Sequence, residues 1–79
     1  MPNTIKQEKK LRTTRIDYDV DNNPIYIGKT FKAGVVASDD DWQIQKLTWV
    51  SGNCTLIERA NGNDNFNQVW NDRATLTYS

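Results

Sequence analysis

Apolar and polar residues alternate cleanly over residues 13–20 (TTRIDYDV), with Ile16, Tyr18 and Val20 on one side and Arg15, Asp17 and Asp19 on the other. This period of two predicts a half-buried strand whose Ile16–Tyr18–Val20 side faces a core. The polar run Asp21-Asn22-Asn23-Pro24 is a turn signal, and Ile25-Tyr26-Ile27 resumes a strand, so the segment reads as a hairpin. Residues 28–41 (GKTFKAGVVASDDD) form a longer connection, bent at Gly28 and Gly34, with a short strand expected near residues 35–37. Trp42 and Ile44 then lie on one phase, and Leu47 and Trp49 on the other. That phase slip predicts a β-bulge near Gln45-Lys46. Ser51-Gly52-Asn53 is a second turn signal, and residues 55–60 return as the second strand of a second hairpin. Arg15, Ile16, Tyr18, Asn22 and Ile25 align with Lys46, Leu47, Trp49, Asn53 and Leu56 at a constant offset, which fits either a duplicated hairpin or the shared grammar of strand, turn and strand.

The ending is more crowded. Residues 61–65 are polar and loop-like. Phe66, Val69 and Trp70 fall at i, i+3 and i+4, which predicts one short helical turn near 66–70. Ala74, Leu76 and Tyr78 alternate with Arg73, Thr75 and Thr77 as a last strand. The expected fold class is therefore all-β: a small antiparallel sheet of two hairpins plus a C-terminal strand, behind an extended N-terminal arm. Residues 1–14 are the expected arm and residues 15–79 the β domain.

Composition changes this picture in one respect. Only 37% of the 79 residues are hydrophobic, with two Phe, three Tyr and three Trp, which is lean for a chain that must close a core alone. A single cysteine, Cys54, excludes an internal disulfide, and there is no histidine. Oligomerisation or docking on a larger partner is the device that remains. No run of apolar residues is long enough to cross a membrane, and the N-terminus lacks the apolar centre of a signal peptide, so synthesis and residence in the cytoplasm are expected. The Asn53-Cys54-Thr55 sequon is then a chance match. The zero net charge hides an asymmetry: residues 1–15 carry Lys6, Lys9, Lys10, Arg12 and Arg15 against Glu8, a net +4, and residues 16–79 carry −4.

Candidate chemistry is thin. Asp17, Asp19, Asp21 and Asn23 have calcium-loop spacing, but the sixth position is Asn22 rather than Gly and the twelfth is Gly28 rather than Glu. Strand alternation sets these carboxylates on a solvated face without any metal. Asn61-Gly62-Asn63-Asp64-Asn65 fails in the same way, at Phe66. Asp39, Asp40 and Asp41 read as a solvated acidic turn or as a dock for a neighbour's Lys9, Lys10 or Arg12. Trp42, Trp49 and Trp70 could stack on a sugar, although the spacing of Phe66 and Trp70 reads as core and Trp42 and Trp49 as half-buried. The basic arm invites nucleic acid, which the acidic body opposes. No catalytic set is present: there is no histidine to activate Cys54, no G-x-S-x-G and no phosphate-cradling glycine loop. No enzyme activity, cofactor or metal is expected.

The stretches RIDYDVDNNPIYIG, WQIQKLTW and FNQVWNDRATLTYS together resemble a group of small virion-associated proteins of tailed bacteriophages. Their shared order is Ile-x-Tyr-Asp, Asn-Pro-Ile-Tyr-Ile-Gly, Trp-x-Ile, an Ala-x-Gly loop and Val-Trp-x-x-Arg-Ala-x-Leu-Thr-Tyr. The match spans residues 15–79. It departs at Arg59, where the pattern sets an aromatic before the loop. The resemblance implies a structural component of the virion, made in the host cytoplasm. It would decorate or cement the capsid, or act as an adaptor in the neck or tail, as a homo-oligomer or in many copies. Its partners would be capsid, neck or tail subunits, docked electrostatically through Lys6, Lys9, Lys10, Arg12 and Arg15, with Asp39, Asp40 and Asp41 as acidic counterparts. Two other readings stand beside it: a glycan-binding module of a tail or fibre that uses Trp42, Trp49 or Trp70, and a small intracellular phage protein that modulates a host target.

Overall fold

The computed structural model describes residues 10–79. The chain is all-β: β1 (Thr13–Tyr18), β2 (Pro24–Thr30), β3 (Gln43–Val50) and β4 (Asn53–Arg59) form one open antiparallel sheet in the order β1-β2-β3-β4. A single 3-10 turn, Trp70–Asp72, follows.

Both expected hairpins form, but their turns are built differently. In the first, the Asp19 carboxylate accepts the backbone N–H groups of Asp21 (2.9 Å) and Asn23 (3.0 Å), and Asn22 takes a positive φ of 64°. Short acidic side chains favour such turns because they replace a backbone partner. In the second, Ser51 and Gly52 both have positive φ (51° and 82°), the two-residue turn whose twist matches the flanking strands. This difference gives no support to a duplicated hairpin.

The strand pairing and the turns correct four expectations. Pairing runs unbroken through Gln45↔Arg59 and Lys46↔Glu58, and the slip falls between Thr48 and Trp49. The apparent phase change at Gln45-Lys46 is therefore no bulge. It arises because β3 carries apolar residues on both faces. Residues 35–37 are not a strand: Val35 and Ala37 pack against the core from a turn held by the Asp39 carboxylate on the Val36 N–H (3.0 Å). The C-terminal residues form no full strand either. Ala60 and Tyr78 make one isolated bridge, flanked by Arg59–Ser79 hydrogen bonds in both directions (3.1 Å each) and by Asn61 N–H to Thr77 O (2.7 Å). The chain before that bridge is consumed by the 3-10 turn and its continuation, where Thr75 N–H and Oγ1 both bond Asp72 O at 2.9 Å. The helical turn itself lies at Trp70–Asp72 rather than at 66–70. Gln68 pairs with Trp42 in both directions, and Val69 is extended (φ −100°, ψ 121°), so the segment before Trp70 is held straight.

The core consists of Trp42, Ile44, Ala60 and Trp70, with Tyr26, Val35, Ala37, Leu76 and Tyr78 packed against it. The C-terminal segment supplies the lid. Gly28 lies directly beneath it: a Cβ there would stand 2.6 Å from Trp70 Cε3, so only glycine permits the approach. Cross-strand pairing sets Arg15, Gly28 and Ile44 in one row on this covered face, and Asp17, Tyr26 and Lys46 in the next. The inward face of β1 is thus its polar one. Ile16 and Tyr18 are exposed on the opposite face, and Val20, at the turn, is 97% exposed.

Candidate functional site

The exposed face of the sheet is built from the alternate residues of every strand. Ile16 pairs with Ile27, and Leu47 with Ile57. Continuing the β2–β3 register beyond Tyr26↔Lys46 sets Ile25 beside Leu47. The Trp49 indole N–H donates to Pro24 O at 2.6 Å, which lays the ring from β3 across to the start of β2. Ile16, Tyr18 and Ile57 are exposed, while Leu47, at the centre, is buried among its neighbours. The result is a contiguous aliphatic patch, of the kind that marks an interaction surface on a small protein.

The far end of the same face is polar and satisfies itself. Arg59 Nε contacts the Asp64 carboxylate at 2.6 Å, and Gln43 Nε2 donates to Asp64 O at 2.9 Å. The loop carrying Asp64 therefore closes over the polar end and leaves the aliphatic end open. Arg59 is the residue that anchors this loop.

The residues singled out from sequence scatter. Lys6 and Lys9 lie outside the described residues. Lys10 and Arg12 are exposed, and the Arg12 N–H already donates to Thr30 O at 2.9 Å. Thr13 and Thr14, assigned to the arm, lie within β1. Arg15 is turned toward the covered face, with its guanidinium 5.6 Å from the centre of the Trp42 ring, a cation–π contact. Two of the three acidic residues of the connection have separate tasks, and Asp40 is exposed. Asp39 caps the local turn, and Asp41 pairs with Lys32 Nζ at 2.9 Å. That hydrogen bond, and then the Asp41 charge, hold the Lys32 pKa above its usual range. The Asp17, Asp19 and Asp21 series is likewise not one solvated face: Asp19 builds the turn, and Asp17 reaches Arg73.

The tryptophans need correction. Trp42 is 0% exposed with its N–H donated to Val36 O (3.1 Å), and Trp70 is 5% exposed, 6.2 Å from Trp42 between ring centres. Neither can offer a ring face to a sugar. Trp49 is half-buried with its indole N–H already bonded. The spacing-based reading of Trp70 as core is correct, and Trp42 is buried more deeply than its alternation indicates.

Two residues that hold the lid were not legible as such. Arg73 Nε donates to Asp17 Oδ2 at 3.0 Å, Nη1 donates to Trp70 O at 3.2 Å, and the guanidinium lies 4.7 Å from the Trp70 ring centre. The Arg73 carbonyl in turn accepts the Tyr78 hydroxyl at 2.7 Å. Burial, and then the neighbouring Tyr26, push the Tyr78 pKa from its ordinary 10.0 up to about 12. Among the described residues no group of three or more Cys, Asp or Glu side chains is placed to hold a metal, and no helix is long and apolar enough to cross a membrane.

Comparison with protein-family models, with curated proteins and with solved structures returns no match.

Proposed function

We propose that this chain is a non-catalytic structural subunit of a bacteriophage particle, a capsid decoration or cement protein or a neck or tail adaptor, seated on protein neighbours through the open aliphatic face of its sheet. The carrying observation is that face: Ile16, Tyr18 and Ile57 exposed around a buried Leu47. A sheet with one face lidded and the other exposed among the described residues, in a chain this lean in apolar residues, gains most from a protein surface that removes the second face from water. The particle itself comes from the resemblance carried by RIDYDVDNNPIYIG and FNQVWNDRATLTYS. The cations of the N-terminal segment add electrostatic steering toward the same neighbours.

The test is quantitative mass spectrometry of particles purified through density gradients. The chain is expected in intact particles at a fixed copy number relative to the major coat subunit. Its absence from particles, with the chain abundant in the infected-cell lysate, would overturn the proposal and favour an intracellular role.

A further inference from the structure

We propose that the occupant of the open aliphatic face is a second copy of this chain, packed sheet on sheet with the strands of the two copies antiparallel. This rests on the reading of that face as a protein contact and names its partner.

Three observations favour self-pairing. First, among the described residues, the open part of the face has no charge left with which to select a foreign partner. Arg59 is neutralised by Asp64 of its own chain, and Lys29 sits at the polar end, paired in register with Gln43. An uncharged aliphatic surface is complementary to itself, and a two-fold contact needs only one such patch.

Second, the arrangement of rows selects an orientation. A two-fold axis running across the strands stacks the Ile25–Leu47–Ile57 row on its own copy. Lys29 lies four residues along β2 from Ile25, roughly 13 Å at about 3.3 Å per residue. The two Lys29 ammonium groups are then roughly 26 Å apart, well beyond the Debye length of about 8 Å at physiological salt. Parallel stacking would instead set both polar ends against each other. Face-to-face sheets about 10 Å apart also tolerate the strand twist that remains in a four-stranded sheet.

Third, the area sets the strength. Four strands about 4.8 Å apart and roughly 20 Å of strand length give about 400 Å² of projected contact per copy. Stable complexes bury about 800 Å² of accessible surface per partner, so this contact is weak in free solution and becomes effective where copies are held close together. That is the behaviour expected of a multi-copy subunit.

Adjacent residues of β4 supply the test. Ile57 is 54% exposed on the open face, and Leu56, 49% exposed, points from the opposite face. Sedimentation equilibrium of the full chain from about 10 to about 500 µM, the range suited to a contact of this size, should show the mass rising from one chain toward two. Ile57→Lys should raise the dissociation constant at least about tenfold, while Leu56→Lys should leave it within about twofold. Circular dichroism checks that both variants fold, and Ile16→Lys on β1 gives the same reading from the other edge of the sheet. A wild-type chain that stays single over the whole range, or equal weakening by the Ile57 and Leu56 variants, would overturn the pairing. The two proposals fail separately. Pairing in solution with absence from particles sinks the virion role alone. Normal incorporation of a chain that never pairs sinks the dimer alone.

Discussion

The two faces of this sheet solve the same problem in different ways. The covered face is aromatic and densely bonded: Trp42 and Trp70 pack at 6.2 Å, Arg73 clamps Trp70 and Asp17, and Tyr78 returns a hydrogen bond to Arg73. The open face is mainly aliphatic, with Tyr18 exposed at one edge and the Trp49 ring held by its indole N–H on Pro24 O. Rings with a polar tip can be fixed in one orientation by hydrogen bonds, and so specify a lid. Branched aliphatic side chains carry no such instruction and pack on any apolar surface of matching shape. The lidded face therefore determines the fold of one chain, and the open face determines what the chain meets.

Substitutions on the two sides should separate accordingly. Trp70→Ala removes the side chain that closes the lid, and should cost about 3–5 kcal/mol. That is enough to unfold most of a small domain, seen as loss of cooperative urea unfolding followed by the remaining tryptophans. Gly28→Ala keeps every ring but forces Trp70 off the sheet, since the new Cβ would lie 2.6 Å from it. A cost of about 1–3 kcal/mol is expected, read as a lower urea midpoint with an unchanged slope.

The lid should also respond to alkali. Tyr78 is neutral in both folded and unfolded chains below pH 10.0, and its folded pKa is raised to about 12. Between those values the unfolded chain releases the proton first, so the stabilising contribution is full below pH 10.0 and is lost as pH rises toward 12. Partial exposure of the ring screens the effect to about 1 kcal/mol. Stability measured across that range should fall less in Tyr78→Phe than in wild type; equal falls would mean another group is responsible. The smallest effect belongs to the open face. Ile57→Lys should change the stability of the isolated chain by no more than about 0.5 kcal/mol at concentrations where it is single. A cost near that of Gly28→Ala would show that Ile57 belongs to the core and erase the contrast between the faces.

Much of the local structure was legible. Alternation located β1 and β2, the Asp-Asn-Pro and Ser-Gly signals located both hairpin turns, and i, i+3, i+4 spacing announced that Trp70 packs inward. Those signals act over a few residues, where covalent geometry and short-range hydrogen bonds dominate. The candidate site was less legible. Ile16 and Tyr18 were read as core because they are the apolar side of their strand. Arg15 and Asp17 proved to face the lid because Trp42 and Arg73, which are distant in sequence, supply a ring and a guanidinium for them. The apolar residues on both sides of β3 were read as a bulge for the same reason: one sheet face was assumed to be the only apolar one.

The amino-acid sequence by itself determined that this is an all-β chain, where its two hairpins and their turns lie, and that its apolar content is small; it did not separate these four strands from the two further ones expected at 35–37 and at the C-terminus. Only the tertiary structure decided which face of the sheet is inside. Strand periodicity defines two faces but does not rank them when both carry apolar residues. The ranking comes from the landing of Trp70 over Gly28, a contact between segments far apart in the chain, and that landing leaves Ile16, Tyr18 and Ile57 open to a partner.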